Sequence, residues 1–170
     1  MKIRNTGLAL IALALGLASN ALWGAEQPGW INAADNKILA QKLVNQQMAK
    51  SKNGDLYILG LHATVPGEKA QKMIACNLDR INKPDSPDDI MCTEKHMTLV
   101  FQKLADPVIF EVLVPLQDVA GNTIGCCVFV FKDFKTGSDE SDYYMRAVVM
   151  RDEMAKSIPN FAAIFQPTQL

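Results

Sequence analysis

Two histidines, four cysteines and a run of acidic residues supply the donor atoms for catalysis or metal binding in this 170-residue chain. Cys92 and His96 stand four apart, a spacing that on one helix puts a thiol beside an imidazole as a nucleophile and base pair. Two such residues on one short helix also arise by coincidence, and that is the stronger reading. Asp85, Asp88 and Asp89 bring carboxylates together, but not at calcium-loop spacing, and Asp88 and Asp89 are accounted for as first-turn acids of a helix opened by Ser86 and Pro87. A zinc site from His62, His96 and cysteines would have to gather ligands from distant segments without paired spacing. The chain has no Gly-x-Ser-x-Gly elbow, His-Glu-x-x-His, phosphate-cradling glycine loop or dinucleotide fingerprint. No catalytic residue, metal or cofactor is expected.

Binding chemistry is better represented. Arg80 can hold a carboxylate or phosphate with its bidentate fork. His62 interrupts an otherwise apolar strand, and Asn77 offers both a donor and an acceptor. Each has a plainer role: a solvated arginine, a hydrogen-bonded core histidine, an asparagine satisfying nearby backbone. If the fold encloses a pocket, these three are the residues expected to orient a ligand within mostly apolar walls.

The elements that must position them are readable from turn residues and apolar periodicity. Asn32 and Asp35 resemble a capping box at the start of a helix from about Ala33 to Lys52, stopped by Asn53-Gly54. Asp55 to Thr64 is a strand, with Leu56, Ile58, Gly60 and His62 on one face and Tyr57, Leu59, Leu61 and Ala63 on the other. Lys72 to Leu78 is a second strand, and a short helix runs from Ser86 to about His96. Thr98 to Gln102, Val108 to Leu116 and Thr123 to Lys132 are further strands. The last two form a hairpin whose turn uses Asp118 as an Asx cap and Gly121 at positive φ. Pro115 has no N–H for a ladder and should mark a bulge or an unpaired position. Ser138 caps a long helix with an apolar stripe of Tyr144, Ala147, Val148, Met154, Ala155 and Ile158, broken by Arg151 and stopped before Pro159. In the tail, Phe161, Ile164 and Phe165 pack back. The order describes an α+β fold, a mostly antiparallel sheet with helices against it.

Lys2 and Arg4 precede an apolar run from Gly7 to Ala18, the pattern of a secretory signal peptide over residues 1–25, cleaved after Ala21 or Ala25. Residues 26–170 are then a single domain, placed in the periplasm. Lysine plus arginine (17) nearly balance aspartate plus glutamate (18), and no basic stripe is present, so no nucleic-acid partner is expected. Cys76, Cys92, Cys126 and Cys127 enter an oxidising compartment. One disulfide and four buried thiols are equally open readings, except that the adjacent Cys126 and Cys127 point to opposite faces of their strand.

Several segments, in order, resemble secreted proteins with a single Cache-like sensor domain, which have a PAS-like fold. They are Leu61-His62-Ala63-Thr64-Val65-Pro66-Gly67, Ile74-Ala75-Cys76-Asn77-Leu78-Asp79-Arg80-Ile81 and Lys83-Pro84-Asp85-Ser86-Pro87-Asp88-Asp89. The hairpin pattern Pro115-Leu116-x-Asp118-x-x-Gly121-x-x-Ile124-Gly125 and the closing Ile158-Pro159-Asn160-Phe161 complete the set. Cys76 stands where a small residue is usual, and Asn82 replaces a glycine. The resemblance implies a PAS/Cache-like antiparallel sheet, flanked by a long N-terminal and a C-terminal helix, enclosing a pocket for a small-molecule ligand such as a carboxylate or other small metabolite. A sensor of this kind, with no output of its own, would signal through a membrane-bound partner. An accessory envelope protein without a ligand and a thiol-dependent enzyme using Cys92 are the alternatives.

Overall fold

The apolar strands assemble into one sheet with both faces covered. The computed structural model describes residues 29–51, 54–104, 106–132 and 140–168. The expected signal peptide, the Asn53 stop and the Ser138 cap lie outside the described residues. The elements are α1 (Leu39–Lys50), β1 (Leu56–Thr64), β2 (Gln71–Cys76), α2 (Pro87–Glu94), β3 (Leu99–Lys103), β4 (Ile109–Gln117), β5 (Thr123–Lys132) and α3 (Glu140–Ala155). The strands run in the order β2-β1-β5-β4-β3, every neighbouring pair antiparallel. The molecule is α+β, as its pattern of elements predicts.

Strand alternation divides the core in two. One face carries Leu59, Leu61, Val112, Val114, Phe129 and Phe131 against Ala40, Leu43 and Val44 of α1 and Ala147 and Met154 of α3. Phe110, Phe129 and Phe131 are fully buried there, and each contributes about 2–3 kcal/mol by removal from water. The other face carries Ile58, Met73, Ile109, Leu113, Cys126, Val128 and Val130 and receives Cys92 of α2. A register irregularity between Leu56 and Ile58 rotates Leu56 out of the face it was expected to share with Ile58 and His62, so it joins the first core.

The hairpin forms as its residues predict. Asp118 Oδ1 accepts hydrogen bonds from the N–H groups of Ala120 and Asn122, both at 2.9 Å, and Gly121 has φ +84°. Pro115 is in register with Cys126, and the ladder irregularity falls just beyond it, between Leu116 and Gln117. The proline is tolerated because β3 pairs with β4 only as far as Leu113, so the opposite edge at Pro115 has no strand neighbour. Arg151 of α3 donates to the Pro115 carbonyl at 2.9 Å. That bond explains the charged break in the helix stripe.

Two expectations about helices are corrected. The N-terminal helix is not continuous from Ala33: a single 3₁₀ turn, Ala33–Asp35, is followed by extended backbone before α1 begins. Asn36 leaves the helical path so that its Nδ2 can donate to the Ile74 carbonyl of β2 at 2.8 Å, and Ile38 bridges to Pro167. The Asn32 side chain makes no capping bond. In α3 it is Tyr143, not Tyr144, that turns inward, stacking on Phe110 and Phe131 with ring centroids 5.3 and 5.1 Å apart. Arg146 lies over Phe131 and grips Asp55 with two bonds of 2.7 and 2.8 Å, tying α3 to the start of β1. This pairing holds the Asp55 carboxyl below its usual range.

At Gly125 two strands approach closely. A Cβ there would collide with the His62 carbonyl oxygen of β1, whereas one at Gly121 would meet open space and only a left-handed backbone. Gly121→Ala should therefore cost about 1 kcal/mol, and Gly125→Ala several times more because strands must separate. Urea denaturation of both variants measures the difference. Equal losses would show that the β1–β5 approach is not restrictive.

Candidate functional site

Polar residues stand on the sheet face that α2 covers. α2 is one short helix, and the sheet beside it is left as the wall of a cavity of about 590 Å³, within the range typical of small-molecule sites. Ile58, Met73, Ile109, Leu113, Val128 and Val130 make the apolar floor. His62, Arg80, Lys83, Ser86, Asp88, Asp89 and Glu111 bring polar groups to it, and Phe101 to Lys103 of β3 form one side.

His62 reaches this wall because β1 alternation places it on the α2 face, in register with Cys126. Its side chain is 2% exposed, and Nδ1 lies 2.6 Å from Asp85 Oδ1 and 3.8 Å from Asp89 Oδ2. Nδ1 and Asp85 Oδ1 form one short hydrogen bond. Nε2 has no partner, and neither has the other Asp85 oxygen, Oδ2, although both atoms are buried. Gly60, two residues before His62 on the same face, keeps the space beside Nε2 open: a Cβ there would stand 3.3 Å from that nitrogen.

Asp85 is delivered by a segment that behaves as a sixth, irregular strand. The Met73 N–H donates to the Lys83 carbonyl and the Asn82 N–H to the Met73 carbonyl, at 2.9 and 2.8 Å, and Lys72 bridges to Pro84. Asn82 turns the chain into this path with φ +75°, a left-handed conformation that glycine adopts freely and asparagine tolerates. Asp89 is fixed by the cap of α2: its Oδ2 accepts from the Ser86 N–H at 2.8 Å and the Ser86 hydroxyl at 2.7 Å, while the Asp89 N–H donates to Ser86 Oγ. The N-cap expected at Ser86 is part of a reciprocal capping box with Asp89, which also aims a carboxylate at His62.

Of the three residues singled out for binding, His62 and Arg80 line the cavity. Asn77 stands apart from its lining and completes the β1–β2 ladder instead. Its Oδ1 accepts from the Leu59 N–H at 2.8 Å and its Nδ2 donates to the Tyr57 carbonyl at 3.0 Å. The other half of the β2 edge is closed by buried Gln41 of α1, whose amide bonds both the carbonyl and the N–H of Cys76 at 2.8 and 3.1 Å.

Glu111 was not singled out from sequence. It sits in β4 between Ile109 and Leu113, where alternation alone directs it to the cavity floor. Burial, with Asp89 as the next cause, pushes its carboxyl up to about 7. The four thiols are free and buried. Burial raises Cys76, Cys126 and Cys127, with the Cys92 thiol a second cause at Cys126; these are not activated nucleophiles. α2 ends at Glu94, so the helical relation of Cys92 to His96 does not extend that far; Cys92 is fully buried and His96 exposed.

Glu111 has a consequence for stability. Its folded value is raised from 4.5 to about 7, so the native state holds the proton more tightly than the unfolded chain. Stability should fall as pH rises from about 4.5 to 7, by roughly 3 kcal/mol from this group, and stay low above that. Glu111→Gln should raise the melting temperature at pH 8, leave it nearly unchanged at pH 4.5, and flatten the slope between. A variant with the wild-type pH profile would show that Glu111 ionises without cost.

No protein-family model and no curated relative matches the chain. Among solved structures, it is similar to the repressor BlcR of Agobacterium tumefaciens at 10% identity and a TM-score of 0.46, covering 70% of this chain and 66% of that one.

Proposed function

We propose that this protein is a non-enzymatic small-molecule-binding module of the Cache-like type, acting in the periplasm and signalling through a membrane-bound partner. The observation that carries the reading is the cavity beside α2: an apolar floor on the sheet with polar groups among its lining, His62 Nε2 one of them and without a partner. A buried polar atom left unpaired costs about 1–3 kcal/mol, and a ligand supplying the missing bond recovers that cost. Arg80 and Lys83 at the cavity wall suit an anionic group, and the apolar floor suits a short carbon skeleton. A carboxylate or other small metabolite is the ligand class this favours.

A melting screen of the purified protein, stripped of metal with chelator, against organic acids, amino acids and amines tests the reading. A ligand present at a hundred times its Kd should raise the melting temperature by roughly 5–10 °C. Arg80→Ala and His62→Gln should each remove most of that rise. No stabilisation by any class of the library would overturn the proposal in favour of an accessory protein without a ligand.

A further inference from the structure

We propose that His62, Asp85 and Asp89 form a binding site for one divalent transition-metal ion of the zinc class at the edge of the cavity. It goes beyond the small-molecule reading and stands without an organic ligand. The three residues offer one imidazole nitrogen and two carboxylate oxygens, and these donor atoms lie within 4.8 Å of one another. All three side chains are more than nine-tenths buried, at 2%, 1% and 7% exposure. Zinc bonds of ~2.0–2.2 Å place tetrahedral ligands ~3.4 Å apart. The 3.8 Å between His62 Nδ1 and Asp89 Oδ2 is close to that, and the 2.6 Å between Nδ1 and Asp85 Oδ1 has to open by less than about 1 Å.

A second observation points to a ligand independently. Asp85 is the most deeply buried acid of the cluster, yet Oδ2 has no hydrogen-bond partner. A buried carboxylate with one oxygen unsatisfied is costly, and a cation is the partner that satisfies it most fully. Ser86 supplies the outer support expected of a ligating carboxylate, since its N–H and hydroxyl hold Asp89 in place. The donor set decides the ion class. One imidazole with two carboxylates suits Zn²⁺ and its neighbours better than Ca²⁺, which takes six to eight oxygens.

Binding is an exchange at Nδ1. On a neutral imidazole the ring proton passes through solvent from Nδ1 to Nε2, which frees the Nδ1 lone pair to bind the ion together with Asp89 Oδ2 and the Asp85 carboxylate, its unpartnered Oδ2 included. Nε2 then carries the ring proton and faces the side that Gly60 keeps open. Three protein ligands leave a further coordination position for water or for a cavity ligand.

The test uses untagged, chelator-treated protein titrated with Zn²⁺ or Co²⁺ alone. Native mass spectrometry should find one ion per chain, and bound Co²⁺ should develop visible absorption. The chain has two histidines, so ring ¹⁵N spectra separate them: the His62 signals should move on Zn²⁺ addition and those of exposed His96 should not. Asp85→Asn and His62→Gln should each weaken binding at least tenfold, and Asp152→Asn, at an exposed position of α3, should change it little. Absence of a stoichiometric ion, or a shift of His96 with His62 unmoved, overturns the proposal. Because the wild-type spectrum decides, a variant that fails to fold leaves the answer intact. The organic-ligand screen is run without metal, so the two readings fail separately.

Discussion

The approach of β1 to β5 is the constraint on which the rest of the molecule depends. At Gly125 the two backbones come so close that a side chain would collide with the His62 carbonyl. With that contact made, β5 pairs with β1 on one side and β4 on the other, so the sheet has a continuous apolar centre instead of two separate hairpins. It also fixes the register in which His62 faces Cys126. A slip of one residue would turn the imidazole into the phenylalanine core of the opposite face, where no acid waits for it.

The two faces are filled by different means. On one, α1 and α3 lie across the strands, and Gln41, Asn36, Arg146 and Arg151 reach from them or their approach to backbone or acid groups at strand ends and edges. Asn36, Gln41 and Arg151 each bond a backbone group at a strand edge, and Arg146 pairs with the Asp55 carboxylate. On the other, three buried ionisable side chains meet, held by the pairing of residues 82–85 with β2 and by the Ser86 cap. Removing charge from water costs several kcal/mol per ion unless geometry and hydrogen bonds offset it. Here the offset is incomplete, as two unpartnered atoms show.

Much of the fold was legible in local signals. Asp118 and Gly121 announce the hairpin, and Ser86-Pro87 with Asp89 announces α2, because a turn or a cap is chosen by a few adjacent residues. What was not legible depended on tertiary partners. Asn36 abandons a helix-compatible position for the Ile74 carbonyl, Tyr143 replaces Tyr144 in the core because of where the rings of Phe110 and Phe131 stand, and Asn77 is consumed by the β1 backbone. The candidate site shows the same division. His62 stands out from sequence as a polar residue in an apolar strand, and the acids stand out as a run. Their meeting is invisible, because it needs the left-handed turn at Asn82 to lay residues 82–85 along β2.

The existence of a cavity follows from helix length. α2 has eight residues and so spans about 12 Å, while five strands at about 4.8 Å spacing span about 19 Å from first to last. One helix cannot cover such a face, and the loop of residues 80–86 closes only one side of the remainder. The cavity floor runs over Ile109, Glu111 and Leu113 of β4 to Ile58 of β1. An extra turn on α2 would narrow it, but the cap at Ser86 fixes the start of the helix and the positive φ of His96, at +55°, marks a sharp change of direction just past its end. The same short helix therefore does two things: its first turn holds Asp89 against His62, and its early end leaves room beside it for the cavity.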